Sequence, residues 1–272
     1  MPDSERRLLI AGCGDLGNRL AARLTGWQVH GLRRNVSKLA PGIVPVSADL
    51  SQPSSLRAVA DQWDAVIYTA TPGERTLEGY RQAYVTGMQQ LLSRVRAGRL
   101  IMVSSTAVFG QDDGAWVNEA SSTRPERFNG EILLEAERVA ADAEGIVIRF
   151  SGIYGPGRDY LVRTVRNGPV ECRREPPVWT NRIHSEDCAA ALAHLLELDQ
   201  PADLYLASDV RPAPRWEVLQ WLAERLGAPG PIEVENDDGQ GKRIDANRLF
   251  ESGFTLQYPD YRAGYGEILK CE

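Results

Sequence analysis

Three glycines near the start of the chain have the type and spacing of a phosphate-binding turn. Gly12, Gly14 and Gly17 form the pattern Gly-x-Gly-x-x-Gly between an apolar run at 8–11 and an amphipathic stretch. In that context the first glycine permits a tight turn, the second lets a pyrophosphate approach the backbone, and the third lets helix and strand pack closely. We predict a dinucleotide site here, although glycines that serve only a tight turn remain the alternative. The predicted phosphate contacts are Gly12, Gly14, Asp15, Leu16 and Gly17.

The end of the second predicted strand indicates which dinucleotide binds. A site for NAD usually places Asp or Glu there, about 20 residues into the motif, to hold the ribose 2′-hydroxyl. The run from Gly31 to Asn35 contains no carboxylate and carries Arg33 and Arg34 instead. Two guanidinium groups suit a 2′-phosphate, so we predict a preference for NADP, with NAD as the alternative.

Short apolar runs alternate with longer amphipathic stretches through the first half of the chain. This alternation predicts an α/β protein with a Rossmann-type doubly wound parallel sheet. Continuous apolar runs are typical of parallel strands that are buried on both faces. The predicted strands are 8–11, 28–32, 43–46, 64–69, 99–103 and 146–150, and the predicted helices are 15–24, 54–62, 75–96 and 127–143.

The second half of the chain is less regular, with turn-rich segments at 152–157 and 169–177. It predicts helices at 186–198, 216–226 and 243–252, the last followed by a capping Gly253, and a buried strand at 203–207. No low-complexity linker separates the two halves. We therefore predict a dinucleotide-binding domain at 1–150 and about 178–208, interleaved with a smaller C-terminal substrate domain at 151–177 and 209–272.

Four further segments resemble the extended short-chain dehydrogenase/reductases, the NAD(P)-dependent epimerase/dehydratase family. They are 48–50 (Ala-Asp-Leu), 103–110, 149–158 and 181–187, and with the glycine motif they keep the family's order from 12 to 187. The resemblance implies that Asp49 and Leu50 meet the adenine, and that Ser105 holds the substrate hydroxyl or carbonyl. The other implied cofactor contacts are Thr69, Ala70, Thr71 and Ser104, and the other implied substrate-side residues are Thr106, Asn181 and His184.

The family's usual catalytic pair is absent from this chain. Members of the family use Tyr-x-x-x-Lys, in which the tyrosine moves the proton that accompanies the hydride and the lysine lowers the tyrosine pKa. The chain has three lysines, Lys38, Lys242 and Lys270, and no tyrosine lies four residues before any of them. At the expected place Asn129 replaces the tyrosine and Leu133 the lysine. This pattern is typical of the atypical members, which keep the fold and the cofactor motif.

Other residues could serve the chemistry. Ser105 and Tyr154 are our catalytic candidates, and Tyr154 follows the sixth predicted strand, near where ligands of open parallel sheets bind. Tyr154 could equally be a buried loop aromatic. His184 could titrate near neutrality or could be a structural histidine. Cys13, inside the glycine turn, is interpreted as a small filler in preference to a redox thiol.

Two functions stay open on these grounds. The first is an oxidoreductase or epimerase that acts on a small carbonyl compound or a nucleotide-sugar with a non-standard active site. The second is a non-catalytic NADP(H)-binding sensor or regulatory protein, which the missing catalytic pair favours. The resemblance also implies a homodimer formed through the helices at 75–96 and 127–143.

Composition excludes several other classes of protein. The 272 residues carry a net charge of −6 and form no basic stripe, which argues against nucleic acid and membrane partners. Four scattered cysteines and three histidines give no metal-binding spacing, so we predict no metal site. The sequence shows no signal peptide and no apolar run of membrane-spanning length, so a cytoplasmic location is expected.

Overall fold

The computed structural model describes residues 6–235 and 239–270. The strands there are β1 Arg6–Ala11, β2 Trp27–Arg33, β3 Val44–Ser47, β4 Gln62–Tyr68, β5 Arg96–Ser105, β6 Trp116–Val117, β7 Ile146–Phe150, β8 Gly152–Tyr154, β9 Glu171–Cys172, β10 Trp179–Thr180, β11 Arg182–His184, β12 Leu204–Ala207, β13 Ala213–Pro214, β14 Ile232–Glu233 and β15 Arg243–Ile244.

The helices are α1 Asp15–Ala21, α2 Leu77–Arg81, α3 Gly87–Arg94, α4 Phe128–Asp142, α5 Tyr160–Arg166, α6 Ser185–Glu197, α7 Arg215–Leu226, α8 Asn247–Glu251 and α9 Tyr261–Ile268. Short 3₁₀ turns lie at Val36–Lys38, Ser55–Ala58 and Thr106–Val108, and a π-helical segment, Gln82–Thr86, connects α2 to α3. None of the helices in the described ranges is both long and apolar enough to cross a membrane.

A seven-stranded parallel sheet in the order β12-β7-β5-β4-β1-β2-β3 organises the fold. The chain builds outward from β1 through β2 and β3, then returns to add β4, β5, β7 and β12 on the other side. The strand order therefore reverses between β1 and β4, where ligands of such sheets bind. The apolar runs in β1 and β4 are buried, as the continuous pattern indicated. This confirms the predicted Rossmann-type fold class.

Two predicted helices were wrong in whole or in part. Within 54–62 the Arg57 and Val59 amides bond to carbonyls three residues earlier, so only a 3₁₀ turn forms, and strand β4 already begins at Gln62. Within 243–252, Arg243 and Ile244 form strand β15 beside β6, so the helix begins only at Asn247. Gly253 does adopt the left-handed conformation expected after this helix, with φ +98°.

Two compact units can be distinguished by their internal contacts. The first comprises the chain up to Val108, Arg124–Arg149 and Ala189–Tyr205, and the second comprises Phe109–Thr123, Phe150–Cys188 and the chain from Leu206 onward. Segments 109–123 and 178–188, predicted for the first domain, group with the second unit. The reason is local pairing, since β6 pairs with β15 and β10 pairs with β13.

Candidate cofactor and active site

A cleft of about 690 Å³ opens in the first unit beside the glycine turn. Eight of the predicted cofactor residues line it: Gly12, Gly14, Arg33, Arg34, Asp49, Leu50, Ala70 and Thr71. The sheet explains why they meet. The carboxyl ends of β1, β2 and β4 are adjacent, and the loops that follow β1, β3 and β4 supply most of the walls.

The two outer glycines of the turn are required by packing, and the middle one leaves open space. Gly12 has φ +82°, and a Cβ there would lie 2.4 Å from the Ala70 Cα. A Cβ on Gly17 would lie 2.8 Å from the Cys13 Sγ, which keeps α1 close to β1. A Cβ on Gly14 would meet nothing nearer than the Gly12 carbonyl oxygen at 3.8 Å. Gly14 therefore borders an open space in the cleft, and any larger side chain at this position would occupy it.

Asp15, Leu16 and Gly17 form the first turn of α1 and do not line the cleft with the other predicted residues. Leu16 and Gly17 are buried, and the Asp15 carboxylate pairs with Arg19 at 2.9 Å. Their contribution to a phosphate site would come from the backbone N–H groups of the first helical turn.

Cys13 is fully buried below the turn. Burial raises the pKa of its thiol to about 11, even though Arg33 lies nearby. The thiol therefore stays protonated near neutral pH, an environment that matches a packing role.

The two arginines at the end of β2, Arg33 and Arg34, have different surroundings. Arg33 donates a hydrogen bond of 3.0 Å to the Cys13 carbonyl and thereby braces the glycine turn. Arg34 is exposed in the cleft and makes no hydrogen bond to a residue that the structure describes. Lys38, four residues further on, lines the same cleft and is also exposed. Of the three described basic side chains that line this cleft, only Arg33 holds the glycine turn, while Arg34 and Lys38 are exposed in the cleft.

Asp49 contributes a carboxylate to the lining of the same cleft. Its Oδ1 accepts hydrogen bonds from the amide and the hydroxyl of Ser51, at 2.9 and 2.8 Å. Partial burial opposes ionisation, but the Ser51 hydrogen bonds and the charge of Arg34 together lower the pKa of Asp49. The group is an ionised acceptor at neutral pH and can receive an N–H of a ligand.

Two of the predicted cofactor residues are engaged inside the protein. Thr69 donates a hydrogen bond of 3.1 Å to the Gly12 carbonyl and so helps to hold the glycine turn in place. Ser104 donates a bond of 2.6 Å to Glu137, whose carboxylate also binds the buried Arg149 guanidinium at 2.9 and 2.6 Å. Neither side chain lines the cleft.

The substrate-side residues of the first unit gather after β5. Tyr68 of β4 pairs with Met102 of the neighbouring strand β5. Thr71 and Ser105 each follow this pair by three residues along their own part of the chain. The Ser105 hydroxyl accepts the Ala107 amide at 3.2 Å, and Thr106 begins the 3₁₀ turn. A Cβ on Gly130 would lie 2.6 Å from the Ala107 carbonyl oxygen, so the first turn of α4, which carries Asn129, packs on this turn.

The position of the missing lysine is apolar. Leu133 is 3% exposed and faces the protein interior from α4. Asn129, at the position of the missing tyrosine, is half-buried and carries an amide that does not titrate. The usual proton donor and its activating cation are therefore replaced by a neutral amide and a hydrocarbon.

In the second unit Tyr154 and His184 belong to a buried aromatic cluster. Tyr154 is 4% exposed and packs on Tyr265, with ring centroids 4.5 Å apart. Its hydroxyl faces α9, where a Cβ on Gly264 would lie only 1.9 Å away. Burial, reinforced by the charge of Asp209, raises the pKa of Tyr154 far above its usual value. These surroundings match the packing alternative that the sequence left open.

His184 and Asn181 hold parts of the second unit together. The His184 ring packs on Tyr258 with centroids 3.9 Å apart and ring planes tilted by 41°, and its Nδ1 accepts the Glu186 amide. The Asn181 amide donates to the Lys242 carbonyl at 2.7 Å and accepts the Ile244 amide at 2.8 Å. The bonds of Asn181 occupy both ends of its side chain.

Several residues of the cleft were not foreseen from the sequence. Lys38, Glu74, Thr76, Gln82 and Ala83 are among them. The rarity of lysine was a usable signal for Lys38, because one of only three lysines follows Arg34 by four residues. The residues from Glu74 to Ala83 enter through the loop after β4 and the helix α2, and no motif marks them.

These residues fit a nicotinamide dinucleotide. The open space at Gly14 accommodates a pyrophosphate, Asp49 offers an acceptor, and two cations stand beside the end of β2. A phosphate, an adenine and a ribose would each find a group of suitable chemistry in this cleft.

Comparison with known proteins agrees with this reading. A family model described as NAD(P)H-binding matches residues 12–148. A structure of a Methylobacillus flagellatus protein assigned to the NAD-dependent epimerases/dehydratases is 35% identical, with 98% of this chain and 99% of that chain covered and a TM-score of 0.85. A structure of MoeE5 with UDP-glucose and NAD is 24% identical, covers 97% of both chains with a TM-score of 0.79, and shows the fold alone.

Two characterised relatives are more distant in sequence. The 3-diazoavenalumate denitrifying reductase of a Streptomyces species is 26% identical, with 83% of each chain covered. The 2′-dehydrokanamycin reductase of Streptomyces kanamyceticus is also 26% identical, with 92% of this chain and 75% of that protein covered. With its glycine turn, its cleft and the replaced catalytic pair, the chain belongs to the NAD(P)H-binding family and, within it, to the atypical short-chain dehydrogenase/reductases of the epimerase/dehydratase type.

Proposed function

We propose that the chain is an NADP(H)-dependent reductase of a small carbonyl compound or a nucleotide-sugar, working without the family's tyrosine and lysine. The observation that carries the cofactor preference is the exposed pair Arg34 and Lys38 in a cleft whose β2 end has no carboxylate. Both characterised relatives are reductases, which supports reduction over epimerisation.

The residues after β5 supply the polar groups for this chemistry. The bound cofactor supplies the hydride. Ser105 accepts the Ala107 amide and keeps its own hydroxyl hydrogen to donate to a substrate oxygen. The amide of Asn129, close to the same turn, can donate a second hydrogen bond as negative charge develops on that oxygen. Since neither group releases a proton at neutral pH, the substrate oxygen takes its proton from solvent.

Arg34 and Lys38 should set the selectivity for the 2′-phosphate. We expect Arg34→Ala to weaken NADPH binding by about 10- to 100-fold, because a hydrogen bond between two charged groups contributes roughly 1.5–3 kcal/mol. Lys38→Ala should act in the same direction, and NADH binding should change little in either variant. Isothermal titration of both cofactors measures this, with Arg57→Ala, an exposed arginine away from the cleft, as the control. Equal losses for NADPH and NADH would contradict the role.

Ser105 should act on turnover and not on cofactor binding. NADPH is mixed with a panel of aldehydes, ketones and sugar nucleotides, and its absorbance is followed. For any compound that is reduced, Ser105→Ala should lower kcat by about 100-fold, because a hydrogen-bond donor to the transition state is lost. The NADPH dissociation constant should stay within twofold. Ser93→Ala, which removes an exposed hydroxyl from α3, is the matched control, and a fully active Ser105→Ala variant would exclude the assigned role.

A non-catalytic NADP(H) sensor is the second candidate. The observation that favours it is the pair Asn129 and Leu133, which leaves the site without an ionisable proton donor at the family's position. Tight NADPH binding with no turnover of any compound in the panel would favour the sensor over the reductase.

A further inference from the structure

The helix that borders the cofactor cleft contains a wide turn with an identifiable cause. In a continuous α-helix the Gly87 amide would donate to the Ala83 carbonyl, four residues earlier. Here the Tyr68 hydroxyl donates to the Ala83 carbonyl at 2.5 Å, and the Gly87 amide reaches back to Gln82, five residues earlier. A side-chain hydroxyl therefore takes the place of an amide on this carbonyl, and a side chain inserted into the ladder is a recognised cause of helix distortion.

The fit around this turn is tight. Tyr68 is 1% exposed at the end of β4, and burial raises its pKa far above the usual value, so its hydroxyl remains a neutral donor. A Cβ on Gly87 would lie 2.8 Å from the Tyr68 hydroxyl and 3.2 Å from the Leu50 Cβ. Glycine at position 87 thus allows both the hydroxyl and the Asp49–Leu50 loop to pack against the helix.

The wide turn has a consequence for the cleft. One extra residue in a turn changes the helical phase by about 100°. Met88 and Leu91, beyond the turn, face the core, while Gln82 and Ala83, at the start of the turn, line the cofactor cleft. Without the extra residue, the orientation of Gln82 and Ala83 relative to Met88 and Leu91 would differ by about that angle.

We propose that Tyr68 is a positioning residue for the cofactor: by binding the Ala83 carbonyl it sets the wide turn that presents the Gln82 amide to the adenine end of the dinucleotide. An amide side chain both donates and accepts, as the edge of an adenine requires. Asp49 lies in the same cleft, and its neighbour Leu50 packs on the wide turn at Gly87. The inference rests on the proposed assignment of this cleft to the cofactor, but it does not depend on the NADP preference.

The test uses ADP-ribose, which has the adenine and both phosphates but neither nicotinamide nor 2′-phosphate. We expect Tyr68→Phe and Gln82→Ala each to weaken ADP-ribose binding to the full chain by about tenfold in isothermal titration, as for one lost hydrogen bond. The double variant should lose little more than either single one, because both changes remove the same contact. A structure of Tyr68→Phe should show the Gly87 amide bonded to Ala83.

The matched control is Tyr205→Phe, which removes a buried hydroxyl that accepts the Ala202 amide at 2.8 Å in the same unit. It should lower stability in chemical denaturation to a similar degree and leave ADP-ribose binding unchanged. A purely structural role for Tyr68 would give the control's behaviour, and unchanged binding in Tyr68→Phe or in Gln82→Ala would overturn the proposal. Failure of the wild-type chain to bind ADP-ribose would overturn both the cofactor site and this inference, whereas a preference for NADH over NADPH would overturn the proposed function alone.

Discussion

A valine in place of Gly14 is expected to weaken NADPH binding by at least about 100-fold, or about 2.8 kcal/mol, with the fold intact. Gly14 has φ −103°, outside the left-handed region that favours glycine, and its Cβ would have no close neighbour in the protein. The added methyl groups would therefore occupy the space that the pyrophosphate needs. We expect the free energy of unfolding to change by no more than about 1 kcal/mol, the order of a changed N-cap residue.

The measurement pairs cofactor titration with chemical denaturation. Gly266→Ala, in α9, is the control, since a Cβ there meets nothing within 4 Å and should leave NADPH binding unchanged. A Gly14→Val variant that is folded and binds NADPH within threefold of the wild type would remove the glycine turn from the binding site.

The largest effect on stability is expected at Glu137. Its carboxylate binds Arg149 in two hydrogen bonds and receives the Ser104 hydroxyl, and the two charged side chains are only 10% and 6% exposed. Glu137→Ala would remove the carboxylate that this buried guanidinium binds, and breaking one partner of a buried ion pair costs about 3–5 kcal/mol. Urea denaturation should show this loss.

Glu135, two residues earlier on α4, is the control for Glu137. It pairs with Arg81 at 2.6 Å, but both side chains are about 40% exposed, so Glu135→Ala should cost less than about 1 kcal/mol. If Glu137→Ala does not fold, Glu137→Gln and Ser104→Ala should give smaller, measurable losses. Equal effects at 135 and 137 would show that the buried network contributes nothing beyond a surface pair.

Local patterns predicted the sheet and the turn because both depend on near neighbours in sequence. The apolar run of β4, the glycine spacing and the missing carboxylate after β2 can all be read without knowing the tertiary structure. The 3₁₀ turn at Ser55–Ala58 could not, since the predicted helix is cut short by strand β4, which begins at Gln62 where it pairs with the distant Arg96. The wide turn at Gln82–Thr86 has the same origin, because its cause is a tyrosine 15 residues away.

The residues of the candidate site also fall into those that local sequence patterns predict and those that depend on long-range contacts. Gly12, Gly14, Arg34 and Asp49 were found from motif and resemblance, and they line the cleft. Ser104 carries the right residue type at the right strand end, but a buried carboxylate from α4 takes its hydroxyl. Gln82 has no motif, and only the interrupted helix brings it to the cleft. Long-range contacts therefore decide which polar residues face a ligand and which serve the interior.

The central claim is that this cleft binds NADP(H) in preference to NAD(H) through Arg34 and Lys38. Isothermal titration of the wild-type chain with NADPH and with NADH, at one ionic strength, tests it most directly. We predict that NADPH binds at least about tenfold more tightly, a difference of about 1.4 kcal/mol. NADH binding that is equal to or tighter than NADPH binding would contradict the claim.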